Sequence, residues 1–338
     1  MQRSCTIDNV VHSVASKIAF IEKVFGKCHV SRRADNVAVW CPVCAPRKLD
    51  KKKLVIRVED DINHCWSCGW KARSLLPLIK KYGTREQFNE YVQSYVTDRR
   101  KFVEDEPAEH DDTRVSLPRN FQLLAQRNTR SMRYVSDAVR YLQTRGVSES
   151  DMWRYRLGVS DDDRWKDRVI MPSYDDDGTV NFFVGRSYAR QDRRTKYDNP
   201  EFPKKSDVIF NSIDIDWKSR LVICEGMFDL MKCGDNATML LGSDMSERSA
   251  LFERVLLNNT PIALALDEDM WNTKTKRLVK LFVSYEIDTV VVDVRGKKDP
   301  GSMTKTEFQS LLQSAKCPSW SDMFFEKLDS AASVGLSL

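Results

Sequence analysis

No stretch of this chain approaches about 18 uninterrupted apolar residues, so nothing in it reads as a membrane-spanning helix. Its opening, MQRSCTIDNVV, lacks the charged segment and long apolar run of a secretory signal, and a protein acting in the cytoplasm, without a membrane partner, is expected. A Gly-x-x-x-x-Gly-Lys-Ser/Thr loop is missing, which excludes an ATP-driven motor, and there is no internal repeat or low-complexity tract. A large excess of one charge is missing too: 54 basic residues face 49 acidic ones, for a net +5. That balance permits a polyanionic partner without demanding one, so local clustering has to decide. The nine cysteines are an odd number, and four of them form two Cys-x-x-Cys pairs, which argues against a secreted disulfide framework and for metal binding.

What is present is enough for several cores. The 338 residues are 41% hydrophobic and include eight tryptophans, which fits a globular protein of two or three domains. An amphipathic opening, VVHSVASKIAFIEKVFG, leads to the paired cysteines and then to an apolar-periodic helix around SLLPLIKKYGTREQFNEYVQSYV, which together make one small domain over 1–98. The segment 99–117 is charged, poor in apolar residues, broken by Pro107 and ended by Pro118, the composition of a solvated linker. From 118 to 217 a helical region precedes the strand-like pieces RVIMPSY and TVNFFVGRSY, joined by the turn DDDG, and then a basic loop, ARQDRRTKYDNPEFPKK. Over 218–301 the apolar runs LVICE, ATMLL, IALAL and DTVVVDV alternate with helical stretches, which predicts a compact sheet of mostly parallel strands. A helical segment closes the chain over 302–338, and packing against the preceding sheet is its expected role. The fold class is mixed α/β, a multidomain α+β chain.

Cys41 and Cys44 are followed after twenty intervening residues by Cys65 and Cys68, and each pair can present two thiolates from one knuckle to a tetrahedral zinc ion. LVIRVED and the run into Cys65 supply ribbon strands, and Gly69 suits the tight turn of the second knuckle. His64 is an alternative to Cys65 that would spoil the matched pairs. Four protein ligands leave no open position for water, so the expected ion is structural. Around it lie Arg47, Lys48, Lys51, Lys52, Lys53 and Arg57, with Trp66 and Trp70. Cations beside stacking surfaces suit nucleic acid, with Lys48, Arg57 and Trp66 as the candidate contacts. The lysines equally suit a solvated loop and the tryptophans a small core.

The second constellation is acidic. In an open α/β sheet ligands collect beyond the carboxyl ends of the strands, where LVICE places Glu225 and LALDED places Asp267 and Asp269. The Asp-x-Asp spacing lets both side chains leave one side of an extended segment. VVDVRGKKDPG adds Asp299 and, less directly, Asp293. Carboxylates gathered at one edge repel unless a hard cation neutralises them, which points to magnesium or manganese, two ions or more, and to phosphoryl or nucleotidyl transfer. Gly226 would admit close approach of substrate. Asp229, one turn into the following helix, suits a backbone cap or a support for Glu225.

Glu225-Gly226-Met227-Phe228-Asp229, then Leu241-Gly242-Ser243, then Asp267-Glu268-Asp269 resemble the TOPRIM domain of bacterial-type primases and topoisomerases. Upstream, YLQTRGVSESDMWRYRLGV resembles the entry to the primase polymerase core, RVIMPSYDDDGTVNFFVGRS its paired strands ending in Gly-Arg, and TKYDNPEFPKK its Lys-Tyr-x-Asn-x-Pro segment. With the zinc ribbon the resemblance runs in family order over most of residues 40–301, and the chain is most similar to the small stand-alone DnaG-type primases of tailed bacteriophages.

The resemblance implies synthesis of short RNA primers from ribonucleoside triphosphates on a single-stranded DNA template, with a replicative helicase supplied in trans. It places Arg145, Arg186, Lys196 and Lys204 or Lys205 on template and triphosphate, with Tyr197 and Asn199 in the same motif. It makes Glu225 the carboxylate nearest the reacting phosphate, with Asp267 and Asp269 holding the ions. The family's Asp-Pro-Asp element reads Asp299-Pro300-Gly301 here, so one carboxylate of that pattern is missing. Two other readings share parts: a recombination mediator resembling RecR, which has no use for the inserted basic core, and a TOPRIM nuclease. A topoisomerase would need a tyrosine nucleophile in a further large domain.

Overall fold

The computed structural model describes residues 13–44, 51–96, 115–126, 133–189, 195–242, 244–267, 271–296 and 299–317, with backbone only at 271 and 272. The chain forms two compact units, Met1–Glu109 and His110–Leu338.

The first unit opens with α1 (Val14–Phe25), capped by Ser13, whose Oγ accepts the Ser16 N–H at 3.1 Å. An antiparallel sheet follows in sequence order: β1 (His29–Val30), β2 (Asn36–Val39), β3 (Leu54–Arg57), β4 (Asn63–Cys65) and β5 (Lys71–Ala72). Alternation along the central strands sends Val37, Val39, Leu54 and Ile56 inward, where Phe20 and Ile21 of α1 are also buried. The single helix expected over SLLPLIKKYGTREQFNEYVQSYV is instead two, α2 (Leu76–Tyr82) and α3 (Arg85–Tyr91), the second running on into a π-turn, Val92–Val96. Gly83 ends the first, and Thr84 and Gln87 start the second with a reciprocal capping box, a local signal that outweighs the continuous apolar period. Buried Asp61 ties the unit together, with Lys17 Nζ at 2.9 Å and the Tyr91 hydroxyl at 2.6 Å.

In the second unit, β6 (Gln122–Leu123), α4 (Arg133–Thr144), α5 (Glu149–Arg154), β7 (Gly158–Val159), β8 (Arg168–Tyr174), β9 (Val180–Ser187) and β10 (Tyr197–Asp198) come first. Their five strands form an antiparallel sheet in the order β10-β9-β8-β7-β6. The long β8–β9 hairpin turns at Asp175–Gly178, with Gly178 at φ +85°.

Next come β11 (Leu221–Cys224), α6 (Met227–Leu230), β12 (Ala237–Met239), α7 (Ala250–Asn258), β13 (Ile262–Ala265), α8 (Lys276–Val283), β14 (Thr289–Val291) and α9 (Lys305–Gln313). These four strands are all parallel, in the order β12-β11-β13-β14. Both faces of this sheet are covered, which is why its strands are unbroken apolar runs. Val222, Cys224, Ala263 and Ala265 face one way, into a core shared with Val169, Met171, Phe182 and Val184 of the antiparallel sheet. Leu221, Ile223, Ile262 and Leu264 face the other, against Phe252, Phe282 and Tyr285. Each such fully buried side chain contributes about 1.5–3 kcal/mol, so the two layers fix the sheet's carboxyl edge firmly. Among the described residues no helix is long and apolar enough to cross a membrane.

Candidate active site and metal centres

The strand order sets the acidic site. The chain runs outward from β11 to β12, then crosses to the other side of β11 for β13, so direction reverses between β11 and β13. Loops leaving the two strands there diverge and open a crevice at their carboxyl ends. Cys224 and Ala265 are register partners, so Glu225 and Asp267 emerge side by side within two residues of their strands.

A cleft of about 420 Å³ lies at this point, within the size range of small-molecule sites. Glu225, Gly226, Asp229, Asp267 and Asp299 line one part of it, and Arg145, Arg186, Lys196, Tyr197, Asn199 and Lys205 line the rest. Residues expected from distant motifs thus meet around one cavity. Lys204 is exposed outside its lining, and Asp269 falls in 268–270, outside the described residues.

Ligand oxygens of Asp229, Asp267 and Asp299 all lie within 4.8 Å of one another. Asp229 is buried, accepts the Gly226 N–H at 2.9 Å on Oδ2, and so acts at once as cap of the short α6 and as a member of the cluster. Burial, then the nearby Asp299 charge, pushes its carboxyl up to about 7. Asp267 is raised to about 7 as well, by burial and then by Asp229, Asp299 and Glu225. Its Oδ1 is shut away from solvent without a hydrogen-bond partner. Three hard oxygen donors that resist ionisation together, one of them buried and unsatisfied, suit a hard divalent cation. Glu225 lines the cleft beside them, and Lys274 Nζ lies 3.2 Å from its Oε1. Asp293 is held by Arg295 through paired contacts at 3.0 and 2.9 Å and is not a member of that three-residue group.

The basic wall is built by packing. The Arg145 guanidinium lies 4.5 Å from the Phe228 ring centre, and Arg186 lies 4.7 Å from that of Tyr197 while its Nε donates to the Tyr141 hydroxyl at 3.1 Å. Arg168 is fully buried, and its guanidinium donates to the carbonyls of Gly185 and Thr195 at 3.3 and 3.1 Å, pinning the backbone next to Lys196. Arg164 holds the other side of β10 through Asp198 and the Asn199 carbonyl. Sequence reasoning singled out neither Arg168, Arg164 nor Lys274; an arginine opening an apolar strand was the available signal for the first.

In the first unit, Cys41, Cys44, Cys65 and Cys68 bring their sulfurs within 4.8 Å of one another, with Cys41–Cys68 at 3.9 Å and Cys44–Cys65 at 3.7 Å. Zinc–sulfur bonds of about 2.3 Å put tetrahedral neighbours about 3.8 Å apart, so the four thiols fit that ion. Gly69, at φ +74°, donates its N–H to the Cys65 carbonyl at 3.0 Å and closes the second knuckle. His64 is not among the four clustered ligands and packs against Trp66, ring centres 4.3 Å apart and planes tilted by 53°. Trp66 is 71% exposed, whereas Trp70 donates Nε1 to Asn63 at 2.9 Å. Arg57 is paired with Asp60, and Lys48 lies outside the described residues.

No family model matches the sequence, and no curated protein sequence matches it. Among solved structures, the chain is similar to a DnaG primase catalytic domain bound to single-stranded DNA (TM-score 0.48, 18% identity, 60% of this chain and 78% of that one). It is similar to the zinc-binding and RNA polymerase domains of the Aquifex aeolicus primase (TM-score 0.46, 17% identity, 89% of this chain and 83% of that one). A third is the E. coli primase catalytic core (TM-score 0.46, 18% identity, 60% and 79%).

Proposed function

We propose that the chain is a DNA primase, a DNA-templated RNA polymerase that makes short RNA primers on single-stranded DNA, of the stand-alone type found in tailed bacteriophages. The observation that carries the reading is the single cleft in which Arg145, Arg186, Lys196 and Lys205 face Glu225, Asp229, Asp267 and Asp299. Cations without a phosphate, or carboxylates without a metal, would each be a costly arrangement alone; a triphosphate with divalent cations satisfies both.

In this reading Asp229, Asp267, Asp299 and Asp269 would hold magnesium or manganese, which would supply activation of the attacking hydroxyl and charge neutralisation at the departing pyrophosphate. Glu225 accepts the proton of the attacking 3′-hydroxyl. Arg186 and Lys196 hold the triphosphate, Arg145 and Lys205 the template, and Tyr197 keeps Arg186 extended toward the cleft. The four-thiol ribbon holds one structural zinc and, through Trp66 with Lys48 and Arg57, reads the start site. A replicative helicase brings the chain to its template.

The test is incubation with single-stranded DNA, four ribonucleotides and magnesium, with and without helicase. Oligoribonucleotides are expected, and Glu225→Gln or Asp267→Asn should abolish them while leaving the circular-dichroism spectrum unchanged. Cleaved DNA without RNA would replace this reading with the nuclease, and bound DNA with neither product would favour the mediator.

A further inference from the structure

Arg145 also lines a second cavity, of about 550 Å³, together with Lys232, Lys305 and Asp151. Asp151 is the only acid among the described residues lining it, so one carboxylate faces three cations. Its charge is already engaged: Oδ1 meets the Lys305 ammonium, and Oδ2 accepts the Ser148 N–H at 2.9 Å. Lys232 is 5% exposed and donates to the Gly146 carbonyl at 2.9 Å, a contact that satisfies a donor without neutralising the charge. Burial lowers the Lys232 ammonium's hold on its proton; the Asp151 carboxylate opposes this, and Lys305 and Arg145 push with the burial, so the three cations share one counter-charge. Arg145 Nε is shut off from solvent with no acceptor.

α9 is capped by its own residues, Thr304 and Glu307. Three cations around one carboxylate leave the cavity wall with an excess of positive charge that a bound anion offsets. The cavity is also continuous with the catalytic cleft in sequence, since Asp299 lines the cleft and Gly301 and Ser302 line the cavity.

We propose that this cavity binds a phosphate group through Lys305, Lys232 and Arg145. The group comes either from the sugar-phosphate backbone of a strand passing the cleft or from a free pyrophosphate-type anion. Only the first source rests on the reading given under Proposed function.

The test uses the full chain in the presence of a chelator, so that polymerisation is not read. A fluorescent oligothymidylate is titrated over a salt series, and inorganic pyrophosphate is titrated by calorimetry. The variants are Lys305→Gln, which can still donate to Asp151, and Ser302→Glu, which adds a carboxylate to the cavity wall. If a strand phosphate binds here, Lys305→Gln lowers the slope of log affinity against log salt by about 0.7. If a free anion binds, pyrophosphate affinity falls about threefold or more in both variants, the scale of one lost charged contact. Lys305→Arg should restore either readout. Unchanged slope and unchanged pyrophosphate affinity in both variants, with thermal melts like the parent, overturn the inference. A chain that makes primers yet shows that result loses this inference alone, and one that binds pyrophosphate here but makes no RNA loses only the polymerase reading.

Discussion

The ammonium of Lys274 sits 3.2 Å from Oε1 of Glu225, with both side chains largely withdrawn from solvent. Lys274 is therefore the resident counter-charge of a carboxylate that lines the cleft with three others, and on the proposed reading its positive charge would oppose a divalent cation bound beside Glu225. Lys274→Met should tighten manganese binding about twofold to fivefold, the range of one partly exposed ion pair. Manganese titration followed by electron paramagnetic resonance measures it, and weaker binding in the variant would refute that opposition.

Asp229 and Asp267 titrate near 7 in the folded protein against an ordinary value of 3.8. Without metal, the folded state holds these protons more tightly than the unfolded chain does. The resulting stability is complete below the ordinary carboxylate range and is lost as pH rises through about 7. Melting temperature in chelator should therefore fall between pH 6 and pH 8, by about 2–4 °C for each kcal/mol. Magnesium should restore more at pH 8 than at pH 6. Asp229→Asn keeps an acceptor for the Gly226 N–H and removes the charge, so it should flatten this fall and lower primer synthesis about a hundredfold or more. A variant as steep in pH as the parent would show that the cluster is not the cause.

The carboxylates that could be read from sequence were those ending an apolar run. Glu225 and Asp267 each follow such a run, and the sheet order, in which β13 pairs with β11, brings those ends together. Asp229 was read as a cap or a support because one helical turn separates it from Glu225. It is the Gly226 cap, yet the shortness of α6 turns the same carboxylate toward Asp267 and Asp299. Lys274 was invisible because it lies in a π-turn, Trp271–Thr275, whose polar sequence reads as the solvated start of α8. The basic residues were legible only through their motif. Nothing in the run ARQDRRTKYDNPEFPKK says that Lys205 lines the cleft while Lys204 does not; that follows from the 3-10 turn Lys205–Asp207. The broken helix at Gly83 was legible, since the capping pair Thr84 and Gln87 is in the sequence, but the apolar period ran across it.

Burial raises the Cys41 and Cys44 thiols, and four sulfurs within 4.8 Å of one another repel when ionised together. A zinc ion held by both knuckles would join them and so contribute folding energy to the first unit. The purified chain should contain one zinc per chain by elemental analysis. Cys44→Ser should abolish that content, broaden the first unit's amide resonances and leave those of Ala250–Asn258 in the second unit in place. Full zinc retention by the variant would exclude Cys44 as a ligand.

Gly301 occupies the position at which the resemblance leads one to expect a second aspartate. A Cβ there would lie 2.8 Å from Oδ1 of Asp229 and 3.0 Å from Cβ of Phe228, closer than side chains pack. The buried Asp229 carboxylate already fills the space a carboxylate at 301 would need, so the missing acid is a consequence of how Asp229 is seated. Adding it back should therefore harm. Gly301→Ala should lower the melting temperature, at about 1–3 kcal/mol for overpacking, and reduce primer synthesis by displacing Asp229. Gly301→Asp should be worse on both counts, because it also adds a fourth negative charge against Asp229, Asp267 and Asp299. Thermal melts beside primer assays of the two variants separate packing from charge. An aspartate at 301 that matched or exceeded the parent's activity would show that the site has room for the carboxylate and that its absence has another cause.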